Sequence, residues 1–181
     1  MASSVSVIVV NLNGRALLPE CLDALRQQTY PQDLMDVILV DNGSTDDSVP
    51  FVRETYPEVR VVEAGHNLGF AGGNNLGASV ARGEYLALIN NDARADPNWL
   101  QAMVEAIEVE DDPQLACIAA KMLSGDGEHI DFVGSVMNLY GRAFQIDEGM
   151  PAESGFHDEA HEILAPCGGA MLIRRDIFLS V

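Results

Sequence analysis

Tyr85-Leu86-Ala87-Leu88-Ile89-Asn90-Asn91-Asp92-Ala93 is the stretch whose reading decides the fold. An apolar run passes directly into two amides and a carboxylate. Uninterrupted apolar runs mark strands buried on both faces of a parallel sheet. Polar groups at the carboxyl end of such a strand lie at the crevice where open α/β sheets bind ligands. Asp92 is thereby placed to hold a hard cation, and that cation would in turn hold phosphate. Asn and Asp also form turns, so the stretch taken alone fits a plain strand-ending turn equally well.

Upstream, the same pattern recurs. Val5–Val10 reads as a buried strand closed by Asn11-Leu12-Asn13-Gly14. Leu17, Leu18, Cys21, Leu22 and Leu25 then repeat at helical spacing, up to Tyr30-Pro31. Val37–Val40 is a second strand, closed by Asp41-Asn42-Gly43-Ser44. Thr45 or Asp46 caps a helix to about Tyr56. Val59–Val62 is a short strand and Gly72–Ala81 a helix. Beyond the opening strand, Asp96-Pro97 has the form of an N-cap with proline at the first helical position, for a helix through Glu108. This β-α alternation predicts a doubly wound, mostly parallel α/β sheet with right-handed crossovers. After Asp112-Pro113 the alternation stops. An apolar stretch (Leu115–Leu123), a loop (Ser124–Gly127) and short strands or a hairpin (Ile130–Ile146) follow. Met150–Glu159 reads as an acidic mobile loop, Ile163-Leu164 and Ala170–Ile173 as strands, and Arg174-Arg175-Asp176 as the opening of a short helix.

The 181 residues fit one domain, 1–181, and 48% hydrophobic content makes it globular. No apolar run approaches the ~18 residues of a membrane span. The N-terminus carries no basic signal region, which predicts a cytoplasmic protein; membrane association of a longer parent stays open. A net charge of -18 disfavours nucleic acid and anionic lipid. It also disfavours phosphate unless a cation or a helix N-terminus offsets the field locally. Cys21, Cys117 and Cys167 have no metal-ligand spacing; the first two are expected as buried thiols, and Cys167 lies beside Gly168-Gly169. His66, His129, His157 and His161 also lack a ligand pattern, and the i, i+4 pair His157 and His161 is expected in solvated loop rather than on zinc.

Asn11 and Asn13, Asp41 and Asn42, and Asn90 and Asp92 all close parallel strands, so they should share one crevice. The loop His66-Asn67-Leu68-Gly69-Phe70-Ala71-Gly72-Gly73-Asn74-Asn75 offers close backbone approach and N–H groups at a helix start. It is not the dinucleotide fingerprint, which should follow the first strand, and the chain has no Walker-type loop.

Val7–Asn11, Val40–Asp46, Asn67–Asn75 and Leu88–Ala93 together resemble family-2 glycosyltransferases of the GT-A fold, nearest to the rhamnosyltransferase-like branch. The resemblance covers almost the whole chain. It implies an inverting transfer from a nucleotide-diphospho-sugar to an acceptor hydroxyl of a glycan or lipid-linked glycan, assisted by Mg2+ or Mn2+. By the family pattern, Val10 and Asn11 border the base and ribose, with Asn13 and Asn42 beside them, and Asp41 bonds the base. Asn67, Gly69, Phe70 and Gly72 to Asn75, with Asn74 among them, flank the nucleotide. Asn90, Asn91 and Asp92 stand at the family's Asp-x-Asp position. The first acid is Asn here, so Asp92 carries the metal. Cys167, Gly168, Gly169 and Ala170 look like the loop facing the donor sugar and acceptor.

The family's base lies in an acidic motif beyond the segment matching Cys167–Phe178, so no residue of this chain is assigned as catalytic. The expectation is a donor-binding portion cut from a longer enzyme: inactive alone, mobile near Ser154, and self-associating through an apolar Ala170–Phe178 patch. The alternatives are a non-catalytic nucleotide-sugar-binding or regulatory module of the same fold, and a sugar nucleotidyltransferase. The latter would want a basic Gly-rich loop after the first strand, where only Arg15 stands.

Overall fold

The computed structural model describes residues 3–109, 115–154 and 160–181. Four strands form its parallel part: β1 (Val5–Asn11), β2 (Met35–Asp41), β3 (Arg60–Glu63) and β4 (Tyr85–Asn90). Helices α1 (Leu18–Arg26), α2 (Ser48–Thr55), α3 (Gly69–Val80) and α4 (Trp99–Val109) connect and follow them. Short strands come next: β5 (Cys117–Ala119), β6 (Met122–Leu123), β7 (Ile130–Phe132), β8 (Ser135–Met137) and β9 (Ala143–Gln145). Strand β10 (Ala170–Arg174) and helix α5 (Arg175–Ser180) close the described fold. The main sheet has six strands in the order β3-β2-β1-β4-β10-β5, with β10 antiparallel to both β4 and β5. The predicted doubly wound, mostly parallel α/β sheet is therefore the observed one.

The chain steps outward from β1 through β2 to β3, then returns to place β4 on the other side of β1. Right-handed crossovers then put α1 and α2 on one face and α3 on the other. The two cores follow this division. Val7 and Val9 of β1 pack with Leu22 and Leu25 of α1, Val52 of α2 and Leu100 and Ile107 of α4. Ile8 packs with Ala78 and Ala81 beside α3. Gln28, 5% exposed, ties α1 to α4: its amide donates to the Ala24 and Asp96 carbonyls and accepts from Leu100 N–H.

α3 lies close on the sheet because it presents glycines there. A Cβ at Gly77 would sit 2.6 Å from Ile8 Cγ2 and 3.1 Å from Val40 Cγ2, and one at Gly73 would sit 2.7 Å from Val10 Cγ1.

Several local expectations change. Leu17 is 45% exposed and precedes α1 rather than joining its buried stripe. The second helix begins at Ser48, with Asp46 Oδ1 accepting the Ser48 N–H from outside the helix. Asp96 makes the same two-residue turn onto Asn98, so α4 starts at Trp99, beyond Pro97. Ile163 and Leu164 are not a strand; Leu164 N–H bonds the Ser135 carbonyl. Cys117 is only partly buried. Met150–Ser154 carries backbone hydrogen bonds: Ile130 N–H donates to the Met150 carbonyl, Ala152 N–H donates to the Glu128 carbonyl, and Pro151 bridges His129. The rest of that acidic stretch, with His157, lies outside the described residues. The apolar patch predicted at Ala170–Phe178 is not exposed either, because β10 runs between β4 and β5 with Ala170, Met171 and Leu172 buried. A group of exposed apolar residues lies elsewhere, with Val136, Met137, Leu139, Tyr140 and Phe144 on and around the β8–β9 hairpin.

The close approach of α3 makes a direct test. Gly77→Ala should destabilise the protein by ~1–3 kcal/mol through overpacking, set against at most ~1 kcal/mol gained in helix propensity. Gly125→Ala, where no atom lies within 4 Å of the added Cβ, should be near neutral. Urea unfolding of the two variants beside the parent protein reads the difference; equal midpoints for Gly77→Ala and Gly125→Ala would contradict the packing argument.

Candidate functional site

The register levels the three polar strand ends. Asn11 pairs with Asp41 across β1 and β2, and Val10 pairs with Asn90 across β1 and β4. β1 is the strand where the sheet order reverses, so these groups meet at the switch point of the sheet. Side chains alternate along a strand. Asn11 and Asp41 therefore fall on the α1–α2 face, and Val10 and Asn90 on the α3 face.

Asp41 is 4% exposed. Its Oδ2 accepts the Ser44 N–H at 3.1 Å, while Oδ1 is buried with no partner among the described residues. Leaving a buried acceptor unpaired costs ~1–3 kcal/mol.

The loops around it are laced together. Asn11, fully buried, donates from Nδ2 to Ser44 Oγ at 3.2 Å and accepts on Oδ1 from Asn91 Nδ2 at 2.9 Å. Asn13, at φ 52°, accepts on Oδ1 from Thr45 N–H, and its own N–H donates to Ser44 Oγ. Asn42, 3% exposed, spends its amide N–H groups on Asn67 Oδ1 and the Gly69 carbonyl, and its oxygen accepts from Leu68 N–H. Asn67 Oδ1 also accepts the Gly69 N–H. Asn42 thus spends both amide N–H groups and its oxygen on loops, and Asn11, fully buried, ties one loop at each end of its amide. Asp46 belongs to the same lacing. Burial alone would raise its pKa, but hydrogen bonds from Ser48 and the Arg15 N–H outweigh that and hold its carboxyl below the usual range. Arg15 stacks its guanidinium over the Phe51 ring.

The glycine-rich stretch is helix, not loop: α3 begins at Gly69. Its first turn brings backbone N–H groups and the positive end of a helix dipole to this edge. Asn74 is buried and bonds back to the Phe70 carbonyl, and Asn75 is exposed one and a half turns along, ~9 Å from the helix start. Gly72 packs against Leu68. Phe70 is 52% exposed at the mouth. The loop before β10 does arrive here. Asn90 N–H donates to the Gly169 carbonyl, and a Cβ at Gly168 would sit 3.0 Å from the Phe70 ring.

Asp92 is exposed, and among the described residues no hydrogen bond or ion pair holds its carboxylate. One free carboxylate beside two side-chain amides is a set of hard oxygen donors, which suits Mg2+ or Mn2+ with remaining positions filled by phosphate and water. Cys21 lies beneath, its Sγ 3.6 Å from the Asn90 carbonyl. Burial first, then the Asp92 charge, push its thiol up to about 12, so it is an inert packing group. Asp126, Glu128 and His129 also cluster, but they are exposed near the β6–β7 turn and are not strand ends. Gly14 and Ser44 were not singled out as site residues. A Cβ at Gly14 would fall 2.3 Å from Asn91 Nδ2 and 2.4 Å from Asn11 Oδ1, so only glycine leaves room for that bond. The Asn-Gly and Gly-Ser pairs following the two strands were the signal available.

Comparison with known proteins agrees with this fold. Glycosyltransferase GlyG of Streptococcus pneumoniae is 32% identical over 114 residues, covering 61% of this chain and 37% of that protein. A glucosyl-dolichyl phosphate glucuronosyltransferase of Haloferax volcanii is 22% identical over 184 residues, covering the whole chain and 55% of that protein. The chain thus spans between about an eighth and about half of the length of the curated relatives it matches. Among solved structures, the mannosyltransferase PcManGT from Pyrobaculum calidifontis, in complex with GDP-Man and Mn2+, superposes with a TM-score of 0.59 at 30% identity, covering 67% of this chain and 36% of that one. S. aureus TarS 1-349, in complex with UDP-GlcNAc, shares the fold with a TM-score of 0.63 at 23% identity, covering 77% of this chain and 42% of that one. The sequence profile of glycosyl transferase family 2 matches residues 6–180, and the chain belongs to that family.

Proposed function

We propose that this chain forms the donor-binding part of an inverting glycosyltransferase. Its donor is a nucleotide-diphospho-sugar with a hexosyl or rhamnosyl group, and its acceptor is a hydroxyl of a glycan or lipid-linked glycan. The observation that carries the reading is the buried, unpartnered Asp41 Oδ1 at the sheet's switch point. A carboxylate accepts and never donates, so its natural complement is an N–H on the edge of a nucleobase. The N-terminus of α3 and the Gly168-Gly169 loop flank the space where diphosphate and sugar would follow. The relative solved with GDP-Man and Mn2+ supports both the donor class and the metal.

Asp92, with Asn90 and Asn91 beside it, would hold the divalent cation. When bound, the cation neutralises charge developing on the departing diphosphate. The acceptor oxygen attacks the anomeric carbon from the face opposite that diphosphate. The new C–O bond forms as the old one breaks, the electron pair leaves with the nucleoside diphosphate, and the proton passes to a carboxylate base. A single displacement inverts the anomeric centre. That base is not assigned to a residue of this chain. Among the described residues no helix is long and apolar enough to cross a membrane.

Nucleoside diphosphates should bind more tightly with Mn2+ than with a chelator. Asp92→Ala should remove the metal-dependent part and keep the fold. Calorimetric titrations in both conditions measure this, and equal affinities in the parent protein would count against the metal role. Asp41→Ala should weaken nucleotide binding by ~1.5–3 kcal/mol, the usual loss for a hydrogen bond to a charged group. Unchanged affinity in a folded Asp41→Ala variant would remove Asp41 from the site.

A further inference from the structure

We infer that Asn11 is a positioning residue that couples the base-reading carboxylate of Asp41 to the metal-holding loop of Asp92, so that base and cation bind cooperatively. The inference rests on the donor-site reading above and assigns Asn11 a role other than contact with base or ribose.

A chain of three hydrogen bonds runs from the Asp41 carboxylate to the side chain of Asn91, the residue before Asp92. Asp41 Oδ2 accepts the Ser44 N–H at 3.1 Å. Ser44 Oγ accepts Asn11 Nδ2 at 3.2 Å. Asn11 Oδ1 accepts Asn91 Nδ2 at 2.9 Å, and Asn91 is bonded to Asp92 through the backbone. Each link has little freedom to rearrange. Ser44 Oγ also accepts the Asn13 N–H, which fills both of its lone pairs. Asn11 is fully buried, so neither end of its amide has water as an alternative partner. The missing Cβ of Gly14 leaves the Asn11–Asn91 bond its space. A donor arriving at Asp41 fixes the Ser44 turn, which fixes the Asn11 amide, which fixes the loop that presents Asp92. A cation on Asp92 orders the same chain from the other end. Such coupling is reciprocal: each ligand changes the other's affinity by the same factor.

The test needs a base-side ligand that cannot touch the cation. Nucleosides serve, because they carry no phosphate. Uridine, thymidine, guanosine and adenosine are titrated onto the protein with and without Mn2+. Mn2+ binding is read separately, from the resonance signal of the free ion, with and without the nucleoside that binds best. The parent protein should show each ligand tightening the other by about fivefold or more, the low end of typical allosteric coupling. Gly14→Ala, which crowds the Asn11–Asn91 bond, should reduce the factor to near unity while both ligands still bind. Ser44→Ala removes the hydroxyl that accepts the Asn11 amide and should do the same, which guards against a Gly14→Ala variant that fails to fold. A merely structural role would weaken both ligands and leave the factor unchanged. Independent binding in the parent protein, or full coupling in both folded variants, would overturn the relay. Failure of every nucleoside and every nucleoside diphosphate to bind would instead overturn the donor-site reading on which it rests.

Discussion

Burial of β1 on both faces decides where this molecule can place polar groups. Val5, Val7 and Val9 are packed beneath one layer of helices and Ile8 beneath the other. The one polar residue inside the strand, Ser6, is fully buried and spends its hydroxyl on Asp36 and on the N–H groups of Arg82 and Gly83. The strand's carboxyl end is the next place where polarity can be satisfied. There Asn11 meets two loops from neighbouring strands, Asp41–Ser44 and Asn90–Asp92. Because the sheet order reverses at β1, those loops come from chain segments on opposite sides of it. A residue on any other strand would reach at most one of them.

Charge works against the proposed ligand at long range and for it at short range. A chain of net charge -18 repels a diphosphate. The nearby cations are already engaged: Arg15 stacks on Phe51, and Arg94 approaches Glu20 at 3.6 Å. What remains is the dipole of α3, a helix of 12 residues, and a cation on Asp92. The acidic surface and the exposed, unpaired carboxylate thus make one argument. The protein that most needs a counter-ion for phosphate keeps an acid free to hold it.

The parallel strands and their polar ends were legible because both come from local sequence: apolar runs give the strands, and Asn or Asp gives the stops. The start of α3 was not. Gly69 to Gly73 carries poor helix formers, and local propensity reads them as loop. Tertiary packing overrides it, since glycines let the helix lie against Val10 and Ile8. The position of β10 between β4 and β5 was equally invisible, because antiparallel insertion into a parallel sheet is a non-local pairing. Ile163-Leu164 failed for a related reason. Ile163 packs against Gly134, where a Cβ would meet its Cγ2 at 2.8 Å, so its apolar character serves a side-chain contact and not a strand.

Within the site, the same limit separates what residue types reveal from what only geometry reveals. Asn, Asp and Gly at strand ends announce a ligand edge, but they do not say which side chains face the ligand. Asn42 spends its whole amide on loops and Asn11 ties one loop at each end of its buried amide, whereas among the described residues the Asp41 Oδ1 and the Asp92 carboxylate have no partner. Both kinds of residue would serve the proposed donor site. The spent amides fix the loops before any ligand arrives, which reduces the ordering cost of binding. The unspent carboxylates then meet their ligands in place. An Asn11 free to contact a nucleotide would leave the Asp41 and Asp92 loops without the link between them. In this arrangement the residue at the centre of the site is a buried amide that holds one loop at each end.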